Sequence, residues 1–96
     1  MQFAVLTRRK TDQFTDAQFA PVLEAEAEHV RELYAEGFTR QIWMRGDTPG
    51  AFMMVEATDE HEARNKLTTL PLYQAGMLEI VAVVSLKPYR AFSPKK

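Results

Sequence analysis

The segment Leu78 to Leu86 reads Leu-Glu-Ile-Val-Ala-Val-Val-Ser-Leu, with Ile80, Ala82, Val84 and Leu86 alternating with Val81 and Val83. Side chains of a strand alternate between its two faces, so a strand of this composition avoids water on both. A chain of 96 residues with two helical patterns has too little helix to cover both sides of a sheet. Something else must cover one side, and a second copy of the same sheet is the simplest candidate. Val83 is expected to point into that sheet-to-sheet contact.

The length fits one domain, here taken as residues 1–96, whose folding buries roughly 60 to 65% of the unfolded surface and leaves a thin stability margin. Twelve Lys and Arg against thirteen Asp and Glu give a formal charge of -1. No broad basic face for nucleic acid follows from that balance. The absence of cysteine removes disulfides, thiolate nucleophiles and zinc ribbons, and two histidines without a neighbouring partner make a poor metal set. No metal and no cofactor are therefore expected. The apolar run Phe3-Ala4-Val5-Leu6 is too short for a signal peptide, and no run reaches the ~18 residues of a membrane span. A cytoplasmic protein without a membrane partner is the expectation.

Along the chain, Phe3 to Thr7 alternates as a first strand, and Arg8 to Phe14 reads as polar loop. Thr15 followed by Gln18 resembles a capping box, with Asp16 where the helix dipole favours a negative charge. Phe19, Leu23, Ala27, Val30 and Tyr34 then recur at the helical period opposite Glu24, Glu28, Arg31, Glu32 and Glu36. The helix is expected over Asp16 to Glu36, with Pro21 tolerated in its first turns and Gly37 after the C-cap. Phe38 to Arg45 and Ala51 to Glu56 should pair as a hairpin across Gly46-Asp47-Thr48-Pro49-Gly50. A second helix, capped by Thr58 or Asp59, should end near Leu70, followed by an apolar Leu70-Pro71-Leu72 elbow and the final strand. The order βαββαβ, with two helices on one face of a four-stranded antiparallel sheet, is the ferredoxin-like α+β arrangement. A partner on the other face would complete a dimeric α+β barrel.

Gly37-x-x-Arg40-x-Ile42-Trp43, the hairpin to Val55-Glu56 and the elbow Leu70-Pro71-Leu72-Tyr73 before the last strand resemble the muconolactone isomerase family. The resemblance covers about half the chain, Gly37 to Leu86, and departs at Gln74 to Met77. It implies the dimeric barrel and a cofactor-independent proton shift on a small carboxylated lactone or related ring compound from aromatic catabolism.

In that reading Arg40 holds the substrate carboxylate in a bidentate fork. Its alternative is a structural ion pair with Glu56 or Glu79. His29, on the flank of the first helix, would shuttle the proton, or be a satisfied flank residue. Phe19, Leu23, Ile42 and Met54 would line the cavity, although core packing explains such side chains as readily. Trp43 should fall on the strand face opposite Arg40, toward the second subunit, as an interface anchor or pocket wall. Tyr73 could close the pocket mouth or wedge the interface. His61 reads as solvated, and the glutamates from Glu24 to Glu36 as a wet face, with Glu26 nearest the apolar stripe. Two other classes fit the same fold: a non-catalytic ligand-binding or assembly protein, and a cofactor-free monooxygenase. A small-molecule substrate and a homodimer or rings of dimers are the expected partners.

Overall fold

Strand β1 (Gln2–Arg9) leads to helix α1 (Asp16–Ala35), followed by β2 (Thr39–Met44), β3 (Ala51–Glu56), α2 (Glu60–Leu67), the short α3 (Pro71–Gln74) and β4 (Leu78–Leu86). The structure is a computed structural model and describes residues 1–92. The four strands pair antiparallel in the order β2-β3-β1-β4, which is the ferredoxin-like topology.

Local signals set the helix ends. The Thr15 hydroxyl accepts the Gln18 amide and the Gln18 side chain accepts the Thr15 amide, closing a capping box. At the other end Gly37 adopts φ 90°. Its amide bonds the Tyr34 carbonyl while that of Phe38 bonds the Leu33 carbonyl, a Schellman closure whose two flanking side chains, Leu33 and Phe38, are both buried. The same device recurs in the segment Gln74 to Met77. Gly76, at φ 74°, and Met77 donate to Tyr73 and Leu72, so α3 is a closed helical turn and the expected elbow is its first residues. Helix α2 ends at Leu67 rather than near Leu70, because Pro71 opens α3 and disfavours helix at the residue before it.

Phe3, Val5, Met53, Val55, Leu67, Leu70 and Leu72 pack into one apolar core between the sheet and the helices. The opposite face has no helix. By register it presents Ala4, Leu6, Phe52, Met54, Ala82 and Val84, with Val84 51% exposed. A bulge opposite Leu6 and Thr7 lets Thr7 pair with Ile80 while Leu6 pairs with Ala82, leaving Val81 as the extra residue. It turns Ile80 toward the helices. Val83 pairs with the fully buried Val5 and also packs on the core, so it faces the helices rather than the helix-free side expected from the alternation alone; Val84 and Ala82 lie on that side.

Leu67 is fully buried whereas Glu28 is exposed on α1. Leu67→Ala should lose about 2 to 5 kcal/mol of stability, and Glu28→Ala should stay within about 0.5 kcal/mol. Chemical denaturation of both variants checks the assignment, and equal midpoints would contradict it.

Candidate functional site

Helix α1 packs toward β2 and α3, and a cavity of about 920 Å³ opens beneath it. The floor is the helix-facing side of the sheet, including Ile42, Met53, Thr7 and Arg9. Leu23, Glu26, Ala27 and Val30 of α1 hang over it, Leu70 and Leu72 close one end, and the β2–β3 hairpin closes the other.

The hairpin is held in place by Arg45. Its guanidinium grips both Asp47 carboxylate oxygens, at 3.0 and 2.7 Å, and donates to the Thr7 carbonyl at 3.2 Å. The pair holds the Asp47 carboxyl below the usual carboxylate range. On the main chain, the Arg9 amide donates to the Pro49 carbonyl at 3.0 Å. Gly50 has φ 152°, and a Cβ there would stand 2.2 Å from the Thr7 carbonyl oxygen. Only glycine lets the hairpin approach β1 this closely.

Glu26 projects from α1 over the opposite end. Its Oε1 accepts the Leu72 amide at 2.9 Å. Pro71, before it, has no N–H, so Leu72 carries the first amide that α3 can offer. Burial pushes the Glu26 carboxyl above the ordinary glutamate value, opposed by the Leu72 amide and by the charges of Arg9 and His29. Among the described residues the half-buried Arg9 guanidinium makes no hydrogen bond or ion pair, which leaves its fork available to a ligand anion. The cavity lining thus holds three arginines, of which Arg45 is committed to Asp47, Arg31 stands 4.0 Å from Glu24 and Arg9 is uncommitted, together with the two carboxyls of Asp47 and Glu26.

Of the residues singled out from sequence, Leu23, Ile42 and Trp43 line the cavity. Trp43 pairs with Phe52 in register, on the helix-free side of the sheet; on the edge strand it is 63% exposed and borders the cavity as well. Phe19 is a core residue, edge-on to Phe14 at 6.0 Å. Met54 pairs with Ala4 on the helix-free face, and Met53 takes the expected place in the cavity. Tyr73 sits on α3 outside the lining. Arg40 falls in a bulge between Thr39 and Gln41. The bulge breaks the alternation that grouped Arg40 with Ile42, and Arg40 stands exposed near Glu56, outside the cavity. His29 lies against the α2–α3 connection, with Nδ1 3.0 Å from Glu32 and Nε2 2.7 Å from Thr69. Thr69 gives its own proton to the Lys66 carbonyl, so Nε2 of His29 donates.

Glu26 and Arg9 were not singled out by residue type. The available signals were position and alternation: Glu26 stands three residues after Leu23 and four before Val30, and the pattern Phe3, Val5, Thr7 continues to Arg9.

Because the folded state holds the Glu26 proton more tightly than the unfolded chain, its contribution to stability is present at low pH. That contribution is lost as pH rises through the raised value. Glu26→Gln keeps an oxygen for the Leu72 amide and removes the ionisation. The variant should be at least as stable as the parent at neutral pH, the difference shrinking below about pH 4 where both side chains are neutral. Urea midpoints across this range measure it, and a variant clearly less stable at pH 7 would contradict the placement.

Among solved structures, 5-chloro-2-hydroxyhydroquinone dehydrochlorinase from Burkholderia phenoliruptrix AC1100, in complex with 2,5-dihydroxybenzoquinone, superimposes with a TM-score of 0.72. The two chains are 17% identical, over 95% of this chain and 98% of that one, so the likeness is one of fold. No functionally curated protein matches the sequence. The sequence profile of muconolactone delta-isomerase matches residues 1–91, and the chain belongs to that family.

Proposed function

We propose that this protein is an enzyme that shifts a proton within a small conjugated ring compound carrying a carbonyl and an acidic oxygen, in the manner of a lactone isomerase. The observation that carries this reading is Glu26, a half-buried carboxyl fixed by a main-chain amide and set in an apolar cavity with Arg9. Membership of the muconolactone delta-isomerase family supports it.

In the proposed reaction Arg9 draws in the substrate anion. Glu26, ionised, takes a proton from a carbon next to the carbonyl, the C–H electron pair moves into the conjugated system, and negative charge collects on the carbonyl oxygen. Glu26 then returns the proton at the far carbon of that system, so the double bond has moved and no atom is gained or lost. A raised carboxyl suits both halves, since a stronger base and a competent acid are needed in turn. The apolar enclosure strengthens the attraction between Arg9 and the developing charge. His29 acts on Glu26 by charge, one helical turn away, and Arg40 is exposed near Glu56, outside the cavity.

Muconolactone incubated with the protein in heavy water, followed by proton NMR, tests the reading. Isomerisation with deuterium uptake should occur, fall about 100-fold or more in Glu26→Gln, and show mainly a raised KM in Arg9→Gln. Exchange as fast in Glu26→Gln as in the parent would overturn the assignment.

A second copy of the chain covering the helix-free face completes the proposal. That face is apolar at Leu6, Phe52, Met54 and Val84 and edged by charged side chains, including the Arg8–Glu79 pair at 2.9 Å. A stable pair of this kind buries about 1,200 to 2,000 Å². Sedimentation at micromolar concentration should find dimers or multiples of them, and Val84→Asp should dissociate them by placing a charge between the sheets. A folded, monomeric parent protein would contradict this.

A further inference from the structure

The cavity floor crosses the whole sheet, from Ile42 on β2 through Met53 on β3 and Arg9 on β1 to Leu78 on β4. Ile42 and Met53 stand level with Val5, and Arg9 and Leu78 four residues further along β1, so at about 3.3 Å per residue the floor runs about 13 Å along the strands, longer than one substituted ring. The volume of about 920 Å³ stands at the upper end of the roughly 300 to 1,000 Å³ typical of clefts that take drug-sized ligands. The ends of this slot are held apart. Arg45 is clamped to Asp47 and the Thr7 carbonyl at the hairpin, and Glu26 is tied to the Leu72 amide at the other end.

Charge is unevenly spread along the slot. Glu26 and Arg9 act together by β1 and α3, while the positive charge of Arg45 is already matched by Asp47. Ile42, Met53 and Ala27 give the lining an apolar stretch, and Arg31, one helical turn beyond Ala27, stands 4.0 Å from Glu24.

We propose that the substrate is a flat compound of two or more fused rings. Its ring bearing the acidic oxygen and carbonyl sits at Arg9 and Glu26, and a further, apolar ring lies over Ile42 and Met53. This rests on the acid–base reading of Glu26 and Arg9 and adds to it the size and shape of the ligand.

Calorimetric titration with 2-hydroxybenzoate and 3-hydroxy-2-naphthoate, which differ by one fused ring, tests it. The naphthoate should bind at least ten times more tightly to the parent protein. Ala27→Phe, which shortens the slot while keeping it apolar, should bring the ratio to about one, and Ala27→Leu should bring it to an intermediate value. Equal affinities in the parent, or a ratio unmoved by both variants, would overturn the proposal while leaving the acid–base site standing. Loss of neither ligand's affinity in Arg9→Gln, or no binding of either acid, would remove the site itself and this inference with it.

Discussion

The hydrogen bond from the Leu72 amide to the Glu26 carboxyl is the contact on which the site depends. It joins the middle of α1 to the first turn of α3, two elements 46 residues apart in sequence, and so sets how far the long helix stands from the sheet at that end. A carboxyl taken from water is strongly penalised unless something replaces its hydration. Here the amide, Arg9 and His29 supply part of the replacement, and the remainder shows as a raised affinity for the proton. In the proposed reaction the penalty is put to use: a group that ionises less readily than a free glutamate is the one suited to lend and recover a proton.

The rest of the architecture follows from a sheet whose two faces are both apolar. One face takes α1, α2 and α3 and forms the core around Phe3, Val5, Val55 and Leu67. Beneath α1 the covering is incomplete, and the gap is kept as a cavity rather than filled by collapse because the hairpin is anchored to β1. Gly50, the Arg45–Asp47 pair and the Arg9–Pro49 main-chain bond all serve that anchoring. Fixed walls of this kind hold polar groups in position before a ligand arrives, which is what transition-state stabilisation requires.

The order of elements was legible because its signals are local. Thr15 with Gln18, the alternation of Ala51 to Glu56 and the apolar final strand each specify their own segment, and Gly37 marks the end of α1. What the pattern concealed was the facing of particular side chains. Bulges shift a strand by one residue, and a shift of one exchanges its faces. The bulge near Thr39 took Arg40 away from Ile42, and that opposite Thr7 exchanged the expected roles of Val83 and Val84. Two adjacent methionines carry no sign of which faces inward, and Met53 rather than Met54 does. Glu26 read as the acid of a wet helix face that stands nearest the apolar stripe, and no more than that, since nothing in α1 itself announces that Leu72 will bring an amide to it.

Carbon NMR of the glutamate carboxyls, with the Glu26 resonance assigned by its loss in Glu26→Gln, measures the central claim most directly. The Glu26 signal is expected to titrate above the ordinary glutamate value, and its midpoint should move when a carboxylated ring ligand occupies the cavity beside Arg9. A Glu26 that titrates at or below the ordinary glutamate value, unmoved by such a ligand at saturating concentration, would contradict the account.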